Sequence, residues 1–130
     1  MPFDWRDFLA IAHELRHDRR EGVQRTCLGR AYYYIYNLGL QAAKSWNFNP
    51  PPHSVHKQLW NWCLSHPDQQ VKRMGVHAQR MYRLRISADY YDTAIPNLAS
   101  EVKRQIARAH DFESLVAAKG GRTPPARLVP

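Results

Sequence analysis

The chain has little cysteine, few acidic residues and no long apolar run. Two cysteines, Cys27 and Cys63, in 130 residues are too few for a disulfide framework and form no C-x-x-C pair. Both sit in apolar helical contexts, which points to reduced core thiols. No apolar stretch approaches the ~20 residues a membrane span needs. The first residues read as a charged amphipathic stretch rather than the apolar core of a signal peptide. A cytoplasmic protein without membrane contact is the expectation. No glycine-rich phosphate loop, nucleophile elbow or paired-carboxylate motif is present, and Gly120-Gly121 has no helix after it. No cofactor is implied.

The shortage of acid leaves a lopsided charge. Nineteen Lys and Arg stand against eleven Asp and Glu, for a net charge of +8 and a pI near 9.9. Fourteen of the nineteen are arginine, whose planar fork suits bidentate contacts with phosphate. Nucleic acid is the partner this favours. A solvated basic surface, or a basic face for an acidic protein, is the plainer reading. The apolar fraction of 44 % describes a globular chain, and the length allows one core.

Every strong periodic signal is helical. Trp5, Phe8, Leu9, Ala12 and Leu15 follow the i, i+3, i+4, i+7 rule, with Asp4 as N-cap. The charged run from Arg16 to Glu21, ending at Gly22, reads as a turn or exposed helix end. A second helix is predicted from about Val23 to Trp46. Its apolar stripe is Leu28, Tyr32, Ile35, Gly39, Ala42 and Trp46; a more polar stripe carries Thr26, Arg30, Tyr33, Asn37 and Gln41. Tyr and Ile also favour strands, but the pattern runs too long for one. Asn49-Pro50-Pro51-Pro52 is an extended break.

Ser54 then caps a short helix through Leu64, with Val55, Leu59, Trp62 and Cys63 inward. Pro67-Asp68 opens a fourth helix, with Val71, Met74, Ala78 and Met81 on its apolar face. Asn97 opens the last, where Leu98, Val102, Ile106, Ala109, Phe112 and Val116 keep the period. From Lys119 the two glycines and three prolines predict a loose tail. The fold class is an all-α bundle of about five helices over residues 1–118, followed by a flexible tail over 119–130.

The run Arg25-Thr-Cys-Leu-Gly-Arg30-Ala-Tyr-Tyr-Tyr-Ile-Tyr36-Asn37 is the most informative stretch. Residues i and i+7 share a helix face, so Arg30 and Asn37 point the same way from within a tyrosine cluster. The Arg25–Tyr33 segment resembles the second-helix signature of the HEPN superfamily, in its branch with an R-A-Y-Y core. Arg85-Ile-Ser-Ala-Asp-Tyr90 is similar to the R-x-x-A-D-Y segment after that family's fourth helix. The resemblance covers about residues 4 to 118.

The resemblance implies a HEPN-like bundle, commonly a homodimer. Such proteins are often metal-independent ribonucleases of antiviral defence or toxin–antitoxin systems, working with a protein partner. The family motif is an arginine, a short spacer and a histidine, and two copies build one composite site. Arg30 matches the arginine; with six residues between, the histidine position is Asn37. A carboxamide has no useful pKa, whereas imidazole can serve as acid and base. Arg30 keeps the phosphate clamp, Asn37 would position phosphate or water, and Tyr33 would line the site. Members paired with a small nucleotidyltransferase carry a tyrosine where this chain has Gly39, so that pairing is not implied. A catalytically inactive domain that binds nucleic acid, or acts as a subunit of a larger assembly, is the alternative.

Other constellations are weaker. Arg6 with His13, and Arg104 with His110, satisfy the loose family spacing, as chance allows in so basic a chain. Arg73, His77, Arg80 and Arg83 lie on one helix face as a phosphate-tracking stripe, with His77 as a replacement base. His53, His56, Cys63 and His66 have metal-like spacing, but His56 and Cys63 would be about 10 Å apart along one helix, so no metal site is assigned. Trp60 and Trp62 cannot both face the core, which leaves one for a seam or for base stacking. Asp89 is expected to pair with Arg85 or Arg83.

Overall fold

A computed structural model of the chain describes residues 2–120. Five α-helices and no strand occur among the described residues: α1 (Arg6–Leu15), α2 (Glu21–Ser45), α3 (Val55–Leu64), α4 (Gln69–Tyr90) and α5 (Leu98–Ala118). The helix α2 is the spine. It packs against α1, α4 and α5, while α3 lies mainly on α4.

The two stripes of α2 part as their chemistry requires. Leu28, Tyr32, Ile35, Gly39 and Ala42 are buried, and Trp46 is half-buried at the end. Arg30, Tyr33 and Asn37 are half-buried and Thr26 and Gln41 exposed. Close packing depends on Gly39, where an added Cβ would stand 2.8 Å from the Phe112 ring and 3.0 Å from Trp60. Gly75 plays the same part for α3 against α4, with Leu64 backbone nitrogen 3.0 Å from where a Cβ would be. Trp60, Tyr32, Tyr34, Phe112 and Leu28 fill the centre, each contributing about 1.5–3 kcal/mol by leaving water. The inward tryptophan is Trp60, not Trp62 as the spacing predicted: Trp60 packs on Tyr32 and Phe112, and Trp62 is half-buried against Phe48. Both cysteines are free and buried.

Helix ends follow local chemistry, with some departures from expectation. The Asp68 carboxylate accepts from the backbone N–H groups of Gln70 (2.8 Å) and Val71 (3.4 Å), an N-cap that satisfies two otherwise unpaired donors. Asp4 accepts from Arg6 N–H at 3.0 Å, although Trp5 is the residue at the helix boundary. Ser54 does not cap α3 with its side chain: it takes a left-handed conformation, φ 57°, as does Asn97 before α5 at φ 54°. At the end of α2, Phe48 N–H bonds Ala43 C=O and Asn47 N–H bonds Lys44 C=O, with Asn47 at φ 74°. That is a Schellman stop in which asparagine replaces the usual glycine.

Buried polar groups tie the helices together. Gln105 of α5 is fully buried and donates to Met81 C=O (3.1 Å) and Leu28 C=O (3.4 Å), joining α5, α4 and α2. The Tyr34 hydroxyl donates to Glu113, which also pairs with Arg6 at 3.1 Å. Arg6 thus belongs to a buried ion pair rather than to a site with His13. Lys119 is not loose: its ammonium donates to Asp68 at 2.9 Å, closing the end of α5 onto the start of α4. The rest of the predicted tail, 121–130, lies outside the described residues.

Candidate nucleic-acid interface

On the face where α1, α2 and α4 meet, rings and arginines alternate. The Arg30 guanidinium lies 4.5 Å from the Phe8 ring centre and 5.8 Å from that of Tyr33. On the far side of this ladder, Arg85 lies 4.7 Å from the Tyr33 ring and 5.2 Å from Tyr90. The order is therefore Phe8, Arg30, Tyr33, Arg85, Tyr90, contributed by three helices. Each cation–π contact is worth about 0.5–2 kcal/mol, more as water is excluded.

The two arginines differ. Arg85 is buried, pairs with Asp89 at 2.9 Å and donates to the Tyr33 hydroxyl. Of the two partners expected for Asp89, Arg85 pairs with it and Arg83 takes no part. Arg30 makes no ion pair among the described residues, and its buried Nε finds no hydrogen-bond partner. A guanidinium held by rings alone keeps its full charge for an incoming anion. The Asn37 Nδ2 donates to Tyr33 C=O at 2.9 Å, one turn back on its own helix. It shares the face of Arg30, with one of its two amide N–H groups engaged by its own helix, as short polar side chains on helices often are.

A histidine does lie beside the ladder, from another helix. His56 of α3 stacks on Tyr36 with ring centres 3.7 Å apart and lies 6.1 Å from Tyr33. Trp60 Nε1–H donates to the Tyr32 hydroxyl (2.9 Å), and that hydroxyl is 2.6 Å from His56 Nδ1. Because the Tyr32 oxygen already accepts from Trp60, its own hydrogen is free for Nδ1. The remaining ring proton then sits on Nε2. Burial first, and the nearby Arg85 charge second, hold the imidazole neutral, lowering its pKa to about 4.

The basic stripe of α4 faces elsewhere. Arg83 and Arg85 are two residues apart, about 200° around the helix, so the stripe and the ladder occupy different sides of α4. Arg73, Arg80 and Arg83 are exposed and His77 half-buried. Burial is also the leading cause of the lowered His77 pKa; Asp111 opposes it, and Arg108 and Arg80 reinforce it. Arg80, Arg83 and Arg108 line an open groove of about 350 Å³ between α4 and α5, shared with Leu84, Ser87 and Glu101. Glu101 answers Arg104 at 2.6 Å and Arg108 at 3.7 Å, which leaves Arg80 and Arg83 uncompensated. A strand of phosphates would find its counter-charge there.

The metal-like set is dispersed. His56 bonds Tyr32, Cys63 is buried against Gly75, and His66 accepts from Asp68 N–H while stacking on Trp62. Among the described residues no group of three His, Cys, Asp or Glu is placed to hold a metal ion. No described helix is long and apolar enough to cross a membrane.

Sequence reasoning found Arg30 and Tyr33 but not Phe8, Arg85, Tyr90 or His56 as their neighbours. The residues come from four helices, so no spacing along the chain could reveal the ladder. No protein-family model, curated protein or solved structure matches the chain.

Proposed function

We propose that this protein is a HEPN-like RNA-binding bundle whose ladder face holds an RNA phosphate, with metal-independent cleavage of RNA as its activity. The observation that carries this reading is the ladder itself. Interleaved rings and guanidinium groups stack unpaired bases and neutralise the backbone between them. Arg30, with charge uncommitted and Nε unpartnered, holds the scissile phosphate. Tyr33 lines the site. Arg73, Arg80 and Arg83 track the flanking strand, with His77 beside them.

His56 supplies what Asn37 lacks. As a neutral Nε2–H group it donates to a phosphate oxygen. The negative charge of a phosphate held at Arg30 would offset the Arg85 charge and raise the imidazole pKa towards the range useful for protonating the leaving 5′-oxygen. In the proposed assembly two copies meet through this face, and a protein partner of a defence or toxin–antitoxin system regulates them. The alternative is a catalytically silent binding domain, favoured by the engaged Asn37 amide and the strongly depressed His56 pKa.

Cleavage of structured and single-stranded RNA in EDTA, compared for wild type, Arg30→Ala, His56→Gln and Asn37→His, tests the reading. Wild-type cleavage lost in Arg30→Ala and His56→Gln is expected. RNA binding without cleavage, with activity appearing in Asn37→His, selects the silent domain. Neither binding nor cleavage by wild type overturns both.

A further inference from the structure

Between α3 and α4, beside Tyr82, lies a partly enclosed cavity of about 190 Å³. Its lining is Lys57, Trp60 and Asn61 from α3 with Gln79, Tyr82 and Arg83 from α4. The cavity is smaller than the roughly 300–1,000 Å³ of sites that bury a drug-sized ligand, so it suits a single planar ring system. Asn61 and Gln79 bring two carboxamides, and neither side chain makes a hydrogen bond among the described residues. Lys57 and Arg83 bring two cations, likewise without an ion pair among the described residues. Tyr82 brings a half-buried ring.

We propose that this cavity binds one unpaired adenine nucleotide. The base stacks on Tyr82. A carboxamide presents a donor and an acceptor side by side, the complement of adenine's amino group and its neighbouring ring nitrogen. Lys57 and Arg83 meet the phosphate. The inference rests on the RNA-binding reading for its connection to the rest of the molecule. The Tyr82 ring is 5.7 Å from His56, so the cavity adjoins the ladder site. Arg83 lines both this cavity and the α4–α5 groove, so a strand leaving the cavity meets the basic groove next. A base held here selects which nucleotide neighbours the ladder.

The ligand is either a free nucleotide or one residue of an RNA strand, and the two are separable. The full chain, labelled with ¹⁵N, is titrated with AMP, UMP, a short oligoadenylate and a short oligouridylate, following the side-chain amide signals of Asn61 and Gln79. The expected result is a shift of both amides with AMP and oligoadenylate. Asn61→Ala and Gln79→Ala each weaken oligoadenylate binding about tenfold and oligouridylate binding much less, with circular dichroism unchanged. AMP binding as tight as the oligomer makes the ligand a free nucleotide. An oligomer at least tenfold tighter, losing that advantage in salt, makes it RNA; both support the cavity. Amides that stay silent, or respond equally to uridylate, overturn it. Oligoadenylate binding that persists with silent amides overturns the cavity alone, whereas no RNA binding of any kind overturns the functional reading too. As a control, Arg30→Ala lowers oligomer affinity without altering the AMP-induced shifts.

Discussion

Arg25 and Arg30 stand five residues apart on the same helix, and their surroundings could hardly differ more. Arg25 is saturated. It donates to Glu21 (2.8 Å) and to the carbonyls of Ser87 (3.2 Å), Ala88 (3.2 Å), Tyr91 (2.7 Å) and Thr93 (2.7 Å). Those carbonyls end α4 and begin the loop after it, so one guanidinium serves as the C-cap that no side chain of α4 provides. Arg30 is held between rings and makes no ion pair among the described residues. The first arginine is spent on holding the fold; the second keeps its charge available to a ligand. Both belong to the motif that carried the resemblance, so motif membership alone does not separate architecture from function.

The comparison is broken most forcefully at Arg25. Arg25→Met should cost about 2–4 kcal/mol, because four carbonyls, two of them in partly buried bonds, lose a charged donor at once. The melting temperature should fall by roughly 10 °C, whereas Arg30→Ala should move it little. Equal loss in both would refute the division of labour.

Gly39 probes the same helix on its buried stripe. Gly39→Ala should destabilise by about 1–3 kcal/mol, since the new methyl overlaps Phe112 and Trp60. Helix propensity alone would make alanine stabilising by about 1 kcal/mol. A denaturant midpoint that rises would show that α5 can retreat without loss.

His56 sharpens the comparison through pH. Its folded pKa, about 4, lies below the ordinary 6.5, so the unfolded chain binds more protons between those values. Stability is therefore full above about pH 6.5 and declines as pH falls towards 4. The loss should be no more than about 2 kcal/mol once solvent screening of a half-exposed ring is allowed for. His56→Gln should flatten that segment of the stability profile. If His56 protonates the leaving group, cleavage should accelerate from pH 7 towards pH 5, and a flat rate profile would exclude that role.

Arg30→Ala is expected to weaken single-stranded RNA binding about tenfold and to make the salt dependence of binding shallower by less than one unit, measured by fluorescence anisotropy across salt. An unchanged slope would mean that no phosphate sits on Arg30. The smallest effect belongs to Asn37→His, which should change stability by less than about 0.5 kcal/mol, because position 37 is half-buried on the open stripe. Its readout is cleavage rather than melting.

Much of the bundle was legible in the chain. Five helices lie close to where periodicity puts them, and the two stripes of α2 were separable because a period near 3.6 sorts side chains by face. The Arg85–Asp89 pair and Asp68 at the head of α4 were also within reach, since each depends on neighbours within a turn or two; the choice of Trp62 as the inward tryptophan was wrong, because Trp60 is the one that meets Tyr32 and Phe112 from other helices. Ser54 was misread as a side-chain cap, because a composition rule cannot distinguish a capping hydroxyl from a residue in a left-handed turn. His56 drew notice only for a metal-like spacing to which no site was assigned, because spacing along α3 says nothing of Tyr32 and Tyr36 on α2.

By itself, then, the sequence determined the helices, their buried faces, the excess of arginine and the absence of histidine at position 37. These depend on residue type and on separations of a few residues. Only the tertiary structure decided which arginines are consumed by carbonyls and carboxylates and which remain available, and it alone brought His56 to the ladder and Asn61 to Gln79. Those are contacts between helices, and the energy that selects them comes from packing partners far apart in the chain.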